Sequence, residues 1–182
     1  MLVQLSGVPG AGKSRLARSI AAASNFVVLD TDVLKSSLIE SRVPVADAGA
    51  ATYAATLALA QDLLHQGRDV LLDSPCRYEE LLKSGQQIAR EHGVRYGFIE
   101  LWVRDWTTVL ARLDARSPIS SQVASATAPA PGTVWEFGTA EETLATWQTQ
   151  LVRPERDWLR LDAESAADEN LSAALRYLHS DR

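Results

Sequence analysis

Hydrophobic positions along this chain gather into short runs separated by longer amphipathic stretches. Leu2–Ser6, Phe26–Asp30, Val70–Asp73, Tyr96–Val103 and Trp158–Leu161 are the compact runs. Continuous apolar runs of this length, several with β-branched residues, read as strands buried on both faces. Helical spacing fills the intervals. Helices are expected over Lys13–Ala23, from about Asp32 to Ser41, and over Ala51–Gln66, Glu79–Glu91, Thr107–Arg116 and Leu171–Leu178. Pro44 and Gly49 punctuate one loop, and Gly67 and Gly93 stop two helices. Thr139-Ala140-Glu141-Glu142 is a capping box that opens a further helix to about Leu151. Strands alternating with helices predict an α/β protein: a three-layer α/β/α sandwich around a five-stranded parallel sheet. Ligands of such sheets sit beyond the carboxyl ends of the strands. That rule gathers the residues after Ser6, together with Asp30, Asp32 and Asp73, along one edge.

One segment departs from the pattern. Residues 117–132 are rich in Ser, Ala and Pro and carry no charge. Loops longer than about 12–15 residues commonly serve as lids or stay disordered. Here the loop and the helix after it, about residues 117–151, are expected to form a short lid; a plain flexible loop is the other reading.

Composition narrows the class. A length of 182 residues fits one domain with a real core. No apolar run approaches the roughly 20 residues that span a bilayer, and no basic stretch precedes an apolar one at the start. The expected setting is therefore cytoplasmic, away from membranes. Cys76 is the only cysteine, which excludes an internal disulfide, and it reads as a small apolar residue near a strand end. The net charge of −5 argues against a broad nucleic-acid footprint. His65, His92 and His179 all fall at helix C-termini, where they suit the helix dipole.

The chemistry begins directly after the first strand. Gly7-Val8-Pro9-Gly10-Ala11-Gly12-Lys13-Ser14 is a complete phosphate-binding loop. Its glycines let bare backbone wrap a polyphosphate, and the first N–H groups of the next helix point at it. Gly7, Pro9, Gly10, Ala11, Gly12, Lys13, Ser14 and Arg15 are the expected ATP contacts. Lys13 reaches the β- and γ-phosphates, and Ser14 is an expected Mg²⁺ ligand. Asp73, ending Leu71-Leu72-Asp73, is the second expected Mg²⁺ ligand, because a carboxylate at a buried strand end needs a partner. Asp32, two residues past the second strand, is placed to accept a hydroxyl proton; it also fits as a helix N-cap, and the two roles are compatible. Asp30 and Arg77 are expected to face the acceptor; Lys35, a turn beyond Asp32, is expected to touch the acceptor or hold Asp32, with a plain surface lysine as the other reading. Arg112 and Arg116 share a helix face and fit charge stabilisation of a moving phosphoryl group, or surface pairing with Asp105 or Asp114. Arg153, before the last strand, is expected at the base pocket. Trp135, Phe137 and Trp147 read as core, with closure over an acceptor as the alternative.

Together these motifs resemble the small P-loop kinases related to the polynucleotide 5′-hydroxyl kinase domain. The phosphate loop, Asp32, Asp73, the Arg112-x-x-x-Arg116 spacing and Arg153-Pro154 ahead of a short strand carry the resemblance over nearly the whole chain. It implies a P-loop NTPase fold of adenylate-kinase-like topology, ATP and Mg²⁺ as cofactors, Asp32 as base and Arg112 and Arg116 as lid arginines. Chloramphenicol phosphotransferase, gluconate kinase and the zeta-toxin kinases follow the same plan, so the acceptor stays open. Asp30-x-Asp32 also resembles shikimate kinase, although Ser74-Pro75-Cys76 replaces that family's glycine triplet. Asp73-Ser-Pro-Cys-Arg77 faintly resembles an acceptor-phosphate motif of nucleoside monophosphate kinases. Those enzymes carry several lid arginines, whereas no Lys or Arg occurs between Arg116 and Arg153.

The expected activity is ATP- and Mg²⁺-dependent phosphorylation of a small-molecule hydroxyl. A nucleoside, nucleotide or polynucleotide 5′-hydroxyl kinase is the nearest alternative. A nucleotide-dependent switch or regulatory ATPase is the alternative from another class, but the Asn-Lys-x-Asp motif of a GTPase switch is absent.

Overall fold

Every residue of the first strand is buried, and the sheet is built outward from it. The computed structural model describes residues 1–130 and 134–180. The elements run β1 (Leu2–Ser6), α1 (Lys13–Ala23), β2 (Phe26–Asp30), α2 (Thr31–Glu40), α3 (Val45–His65) and β3 (Asp69–Asp73). They continue α4 (Glu79–Glu91), β4 (Tyr96–Trp102), α5 (Trp106–Ala115), α6 (Ala140–Thr149), β5 (Leu159–Asp162) and α7 (Ala167–His179). The five strands lie in the order β2-β3-β1-β4-β5, and every pairing is parallel. The chain passes from β1 to the edge strand β2, returns to β3 beside β1, then crosses to β4 on the other side. A crevice therefore opens past the carboxyl end of β1, where the phosphate loop begins.

Alternate residues of β1 serve the two faces. Val3 and Leu5 join Leu16, Ala17 and Ile20 of α1, Val109 and Leu113 of α5, and Ala174 and Leu178 of α7. Leu2 joins Ala60 and Leu64 of α3 and Ile88 and Ala89 of α4. Gln4 shares the Leu2 face and is fully buried; its amide accepts from the Tyr96 hydroxyl at 2.7 Å and donates to Cys76 Sγ at 3.3 Å. Cys76 is buried as expected, and burial pushes its thiol up to about 12.

Two helix starts differ from the sequence reading. α3 begins at Val45 rather than Ala51, so Gly49 lies inside the helix. The run Val45–Tyr53 is rich in alanine, the best helix former, and it packs against α2. Tertiary contact thus overrides the break that Gly49 signals. α7 begins at Ala167, with Asp168 and Glu169 in its first turn where they complement the dipole. The capping box at Thr139 forms as expected: its hydroxyl accepts from the Glu142 N–H, and Glu142 accepts from the Thr139 N–H.

The segment after α6 is fastened to the sheet by buried polar groups. Gln148 accepts from the Val103 N–H at 2.8 Å and donates to the Val103 carbonyl at 2.9 Å. Arg153 donates to the fully buried Glu100 carboxylate at 2.7–2.9 Å and to the carbonyls of Gln148 and Leu151. Arg160 reaches the same carboxylate at 3.3 Å and stacks over Trp102 and Trp158. Removing Arg153 strips the buried Glu100 carboxylate of its closest charge-assisted hydrogen bonds and leaves it with the more distant Arg160 alone, at a cost of about 2 kcal/mol. Arg153→Ala should therefore lower unfolding stability by about that amount, read by denaturant titration, while nucleotide affinity measured on the folded variant stays unchanged.

Candidate active site

The phosphate loop takes its shape from what packs behind it. Gly7, Gly10 and Gly12 all have positive φ, at 138°, 83° and 99°. A Cβ on Gly7 would lie 2.7 Å from the Leu101 carbonyl, and one on Gly10 would lie 2.8 Å from Val109. The loop thus lies directly on β4 and α5. Gly12 caps α1 with no side chain covering the helix start, and no acidic residue occupies the first turn. The free N–H groups there form an anion site. Lys13 folds back over the loop, donating to the carbonyls of Gly7 and Val8 at 2.8 and 3.0 Å. Burial holds its ammonium below the usual lysine value, with Asp73 and Asp32 pulling the other way.

Asp73 ends β3 almost fully buried, and its Oδ2 has no hydrogen-bond partner among the described residues. Burial raises its carboxyl above the usual range, against the pull of Lys13 and a hydrogen bond from Ser14. The Thr31 hydroxyl donates to the Asp73 carbonyl at 3.0 Å and fixes the start of α2 to this strand end. A buried carboxylate oxygen without a partner, beside a serine hydroxyl at a phosphate loop, suits Mg²⁺. That ion uses few protein ligands and keeps several waters. Among the described residues no cluster of three or more His, Cys, Asp or Glu side chains competes for the role.

The structure corrects the cap of α2. Asp30, not Asp32, is the N-cap: its Oδ1 accepts from the N–H groups of Asp32 and Val33 at 3.0 and 3.3 Å. Its other oxygen lies 3.5 Å from Arg18. Asp32 is thereby released from capping, and its carboxylate turns towards the cleft. Gln122 donates to Asp32 Oδ2 at 3.0 Å, and the Ser121 hydroxyl donates to the Asp32 carbonyl at 2.9 Å. Ser121 N–H also donates to Ser36, and Ser120 donates to Glu40. The uncharged loop is therefore pinned to α2 by small polar side chains, which its Ser/Ala/Pro composition had concealed. Gly132 at its expected end lies outside the described residues.

These groups wall a cleft of about 730 Å³ that runs from the phosphate loop past Asp30 and Asp32 to Tyr53, Arg77 and Trp147. Lys35, Arg15, Arg112 and Arg116 also line it. Arg116 is half-buried beside Asp32 and donates to the Val123 carbonyl, while its Nε has no partner among the described residues. Arg112 donates to the Ala163 carbonyl at 2.9 Å and borders a second cavity of about 270 Å³ with Gly12, Arg15, Ser165 and Asn170. That smaller cavity lies beside the start of α1. Arg153 lines neither cavity; the guanidinium expected at the base pocket is held instead by Glu100 and the end of α6. Trp135 packs against the core and Phe137 is exposed, whereas Trp147 packs against the core and also faces the cleft. Sequence reasoning missed Gln122, Tyr53 and Ser74. The side chains of Tyr53 and Ser74 are hydrogen-bonded beside the Asp73 strand end. No local pattern marks them, since elements distant in sequence bring them there.

A family model described as an AAA domain matches residues 2–130. The chain belongs to this P-loop kinase family. No curated protein matches the chain. Among solved structures it is similar to the APS kinase CysC of Mycobacterium tuberculosis in complex with AMPPNP and APS. The two share 19% identity and a TM-score of 0.68, over 98% of this chain and 97% of that one. A sugar kinase from Janibacter sp. HTCC2649 is similar at 12% identity and a TM-score of 0.65, covering 97% and 93%. A gluconokinase from Sinorhizobium meliloti 1021 is similar at 18% identity and a TM-score of 0.62, covering 97% and 90%. At these identities the likeness establishes a shared fold. Among the described residues, no helix of this P-loop kinase is long and apolar enough to cross a membrane.

The raised Asp73 carboxyl has a stability consequence. Its charged form is disfavoured in the folded protein, so ionisation lowers stability as pH rises past the unfolded carboxylate value. Asp73→Asn removes that charge. Without ligands the variant should melt higher than the parent at pH 7, and the difference should vanish in acid, where Asp73 is protonated in both states. With ATP and Mg²⁺ the order should reverse, because the parent gains the larger ligand-induced shift. Thermal melts across pH read both effects.

Proposed function

We propose that this chain transfers the γ-phosphoryl group of ATP to a hydroxyl of a small-molecule acceptor, with Mg²⁺. One juxtaposition carries the reading. The buried, unpartnered Asp73 oxygen lies beside Ser14 and Lys13, and those two residues line the same cleft as Asp32, whose carboxylate is free of capping duty. Phosphoryl transfer is chiefly positioning and charge stabilisation, and this cleft supplies both. Backbone N–H groups of residues 10–15 hold the polyphosphate. Lys13 exchanges the Gly7 and Val8 carbonyls for phosphate oxygens. Ser14 and Asp73 would hold Mg²⁺, which offsets charge on the β- and γ-phosphates. Asp32 accepts the proton of the attacking hydroxyl, with Gln122 fixing one of its oxygens. Arg116 beside Asp32 and Arg112 beside the smaller cavity face the negative charge that spreads during transfer. Residues 117–151 act as the lid over this chemistry. Its first part is tied to α2 by single hydrogen bonds, whereas α6 is fixed to the sheet, so movement belongs to the loop. The net charge of −5 supports a small acceptor over a polynucleotide.

The test follows γ-phosphate transfer from ATP to a metabolite library by mass spectrometry. Lys13→Ala should remove most of the nucleotide-dependent rise in melting temperature. Asp32→Asn should keep nucleotide affinity and lower turnover by about 10²–10⁴-fold. No melting shift at millimolar Mg·ATP, or near-normal turnover of Asp32→Asn, sinks the respective assignment.

A further inference from the structure

The acceptor half of the cleft carries two cations that the mechanism leaves without a partner. Arg77 lies with its guanidinium 4.4 Å from the centroid of the Trp147 ring. Among the described residues its side chain makes neither an ion pair nor a hydrogen bond to protein. Lys35, one turn into α2, is likewise free of ion pairs among the described residues. Arg18, Arg104, Arg153 and Arg160 each have a carboxylate. Arg77 is half-buried against Trp147 and lines the same cleft as Tyr53 and Tyr78, whose rings meet edge-on at 6.2 Å. Stacking on an aromatic face fixes a guanidinium plane and leaves its N–H edge to grip an anion in two places.

Charge explains why such a device is needed. The reacting end of the cleft already holds Asp30, Asp32, Asp73 and the polyphosphate. A fixed guanidinium grips an anionic group more strongly than a neutral one, because its hydrogen bonds are then charge-assisted and two-pronged. An acceptor that is itself an anion is repelled there unless a dedicated cation holds its charged group away from Asp32.

Resting on the kinase reading, we propose that the acceptor is a hydroxyl compound bearing one anionic group, a carboxylate, sulfate or phosphate, held by Arg77 on the Trp147 face with Lys35 as second cation. Tyr53 and Tyr78 flank the body of the molecule, and its hydroxyl faces Asp32. In the reaction the hydroxyl oxygen bonds to the γ-phosphorus, the bond to the β–γ bridging oxygen breaks, ADP leaves, and the hydroxyl proton passes to Asp32. The anionic group takes no part and only positions the acceptor.

The protein is first saturated with Mg²⁺ and AMPPNP, which fills the phosphate loop and keeps test anions out of it. Calorimetry then compares hydroxycarboxylates, sulfate esters and phosphate monoesters with neutral analogues of the same skeletons. The three anion arms identify which charged group is used. Binding should be confined to anions, and Arg77→Gln should weaken it about 10- to 100-fold, the range for a lost bond to a charged group. AMPPNP affinity should not change. Arg77→Lys should recover part of the loss, and Lys35→Gln should cost less than Arg77→Gln, which keeps the test open if Arg77→Gln folds poorly. Neutral analogues binding as tightly as anions, no anion binding at all, or an indifferent Arg77→Gln each overturn the proposal. Failure of AMPPNP to bind in the first step would instead refute the kinase reading.

Discussion

A carboxylate held almost without water at the end of β3 is the constraint around which this cleft is organised. Lys13 and Ser14 stand beside it and favour its charged form. Burial works against its charge even so. Every element that meets at this point is placed by the parallel sheet: β1 delivers the loop, β2 delivers Asp30 and Asp32, and β3 delivers Asp73 itself. The Thr31 hydroxyl on the Asp73 carbonyl ties two of those deliveries together. The free protein thus holds a buried charge that its surroundings disfavour, an electrostatic cost located at the meeting point of three strands.

Much of the frame was legible in the chain. The five buried strands, the helix after the loop and the capping box at Thr139 follow from local rules: apolar run length, glycine placement and a Thr-x-x-Glu spacing. Asp30 and Asp73 were also legible as strand ends, because a polar residue ending an apolar run stands out. What stayed hidden depends on partners far away in sequence. The choice of Asp30 over Asp32 as cap turns on where β2 stops and α2 begins, a shift of two positions. Gly49 reads as a break locally, yet packing of α3 on α2 keeps it helical. Arg153 looks like a pocket arginine until Glu100, fifty-three positions earlier, is found beneath it.

The loop after α5 shows how a segment of low sequence content can still carry information. It has no charge and few large side chains, so neither helical nor strand periodicity marks it. Its serines and Gln122 nevertheless meet hydroxyl, carboxylate and carbonyl groups on α2. Small polar residues are well suited to such contacts, since each costs little side-chain entropy to fix and each can be released singly.

The Glu100 cluster bears on how this chain can drift. One carboxylate serves two guanidiniums, and these in turn lie over Trp102. A change at any of the three charged positions alters the value of the other two, so effects within the cluster will not add. Lineages that lose Glu100 would be released from keeping Arg153 and Arg160, and those that keep it are bound to at least one of them. Replacement is therefore expected to arrive in sets, leaving covariation among positions 100, 153 and 160 as a record of the fold rather than of the substrate.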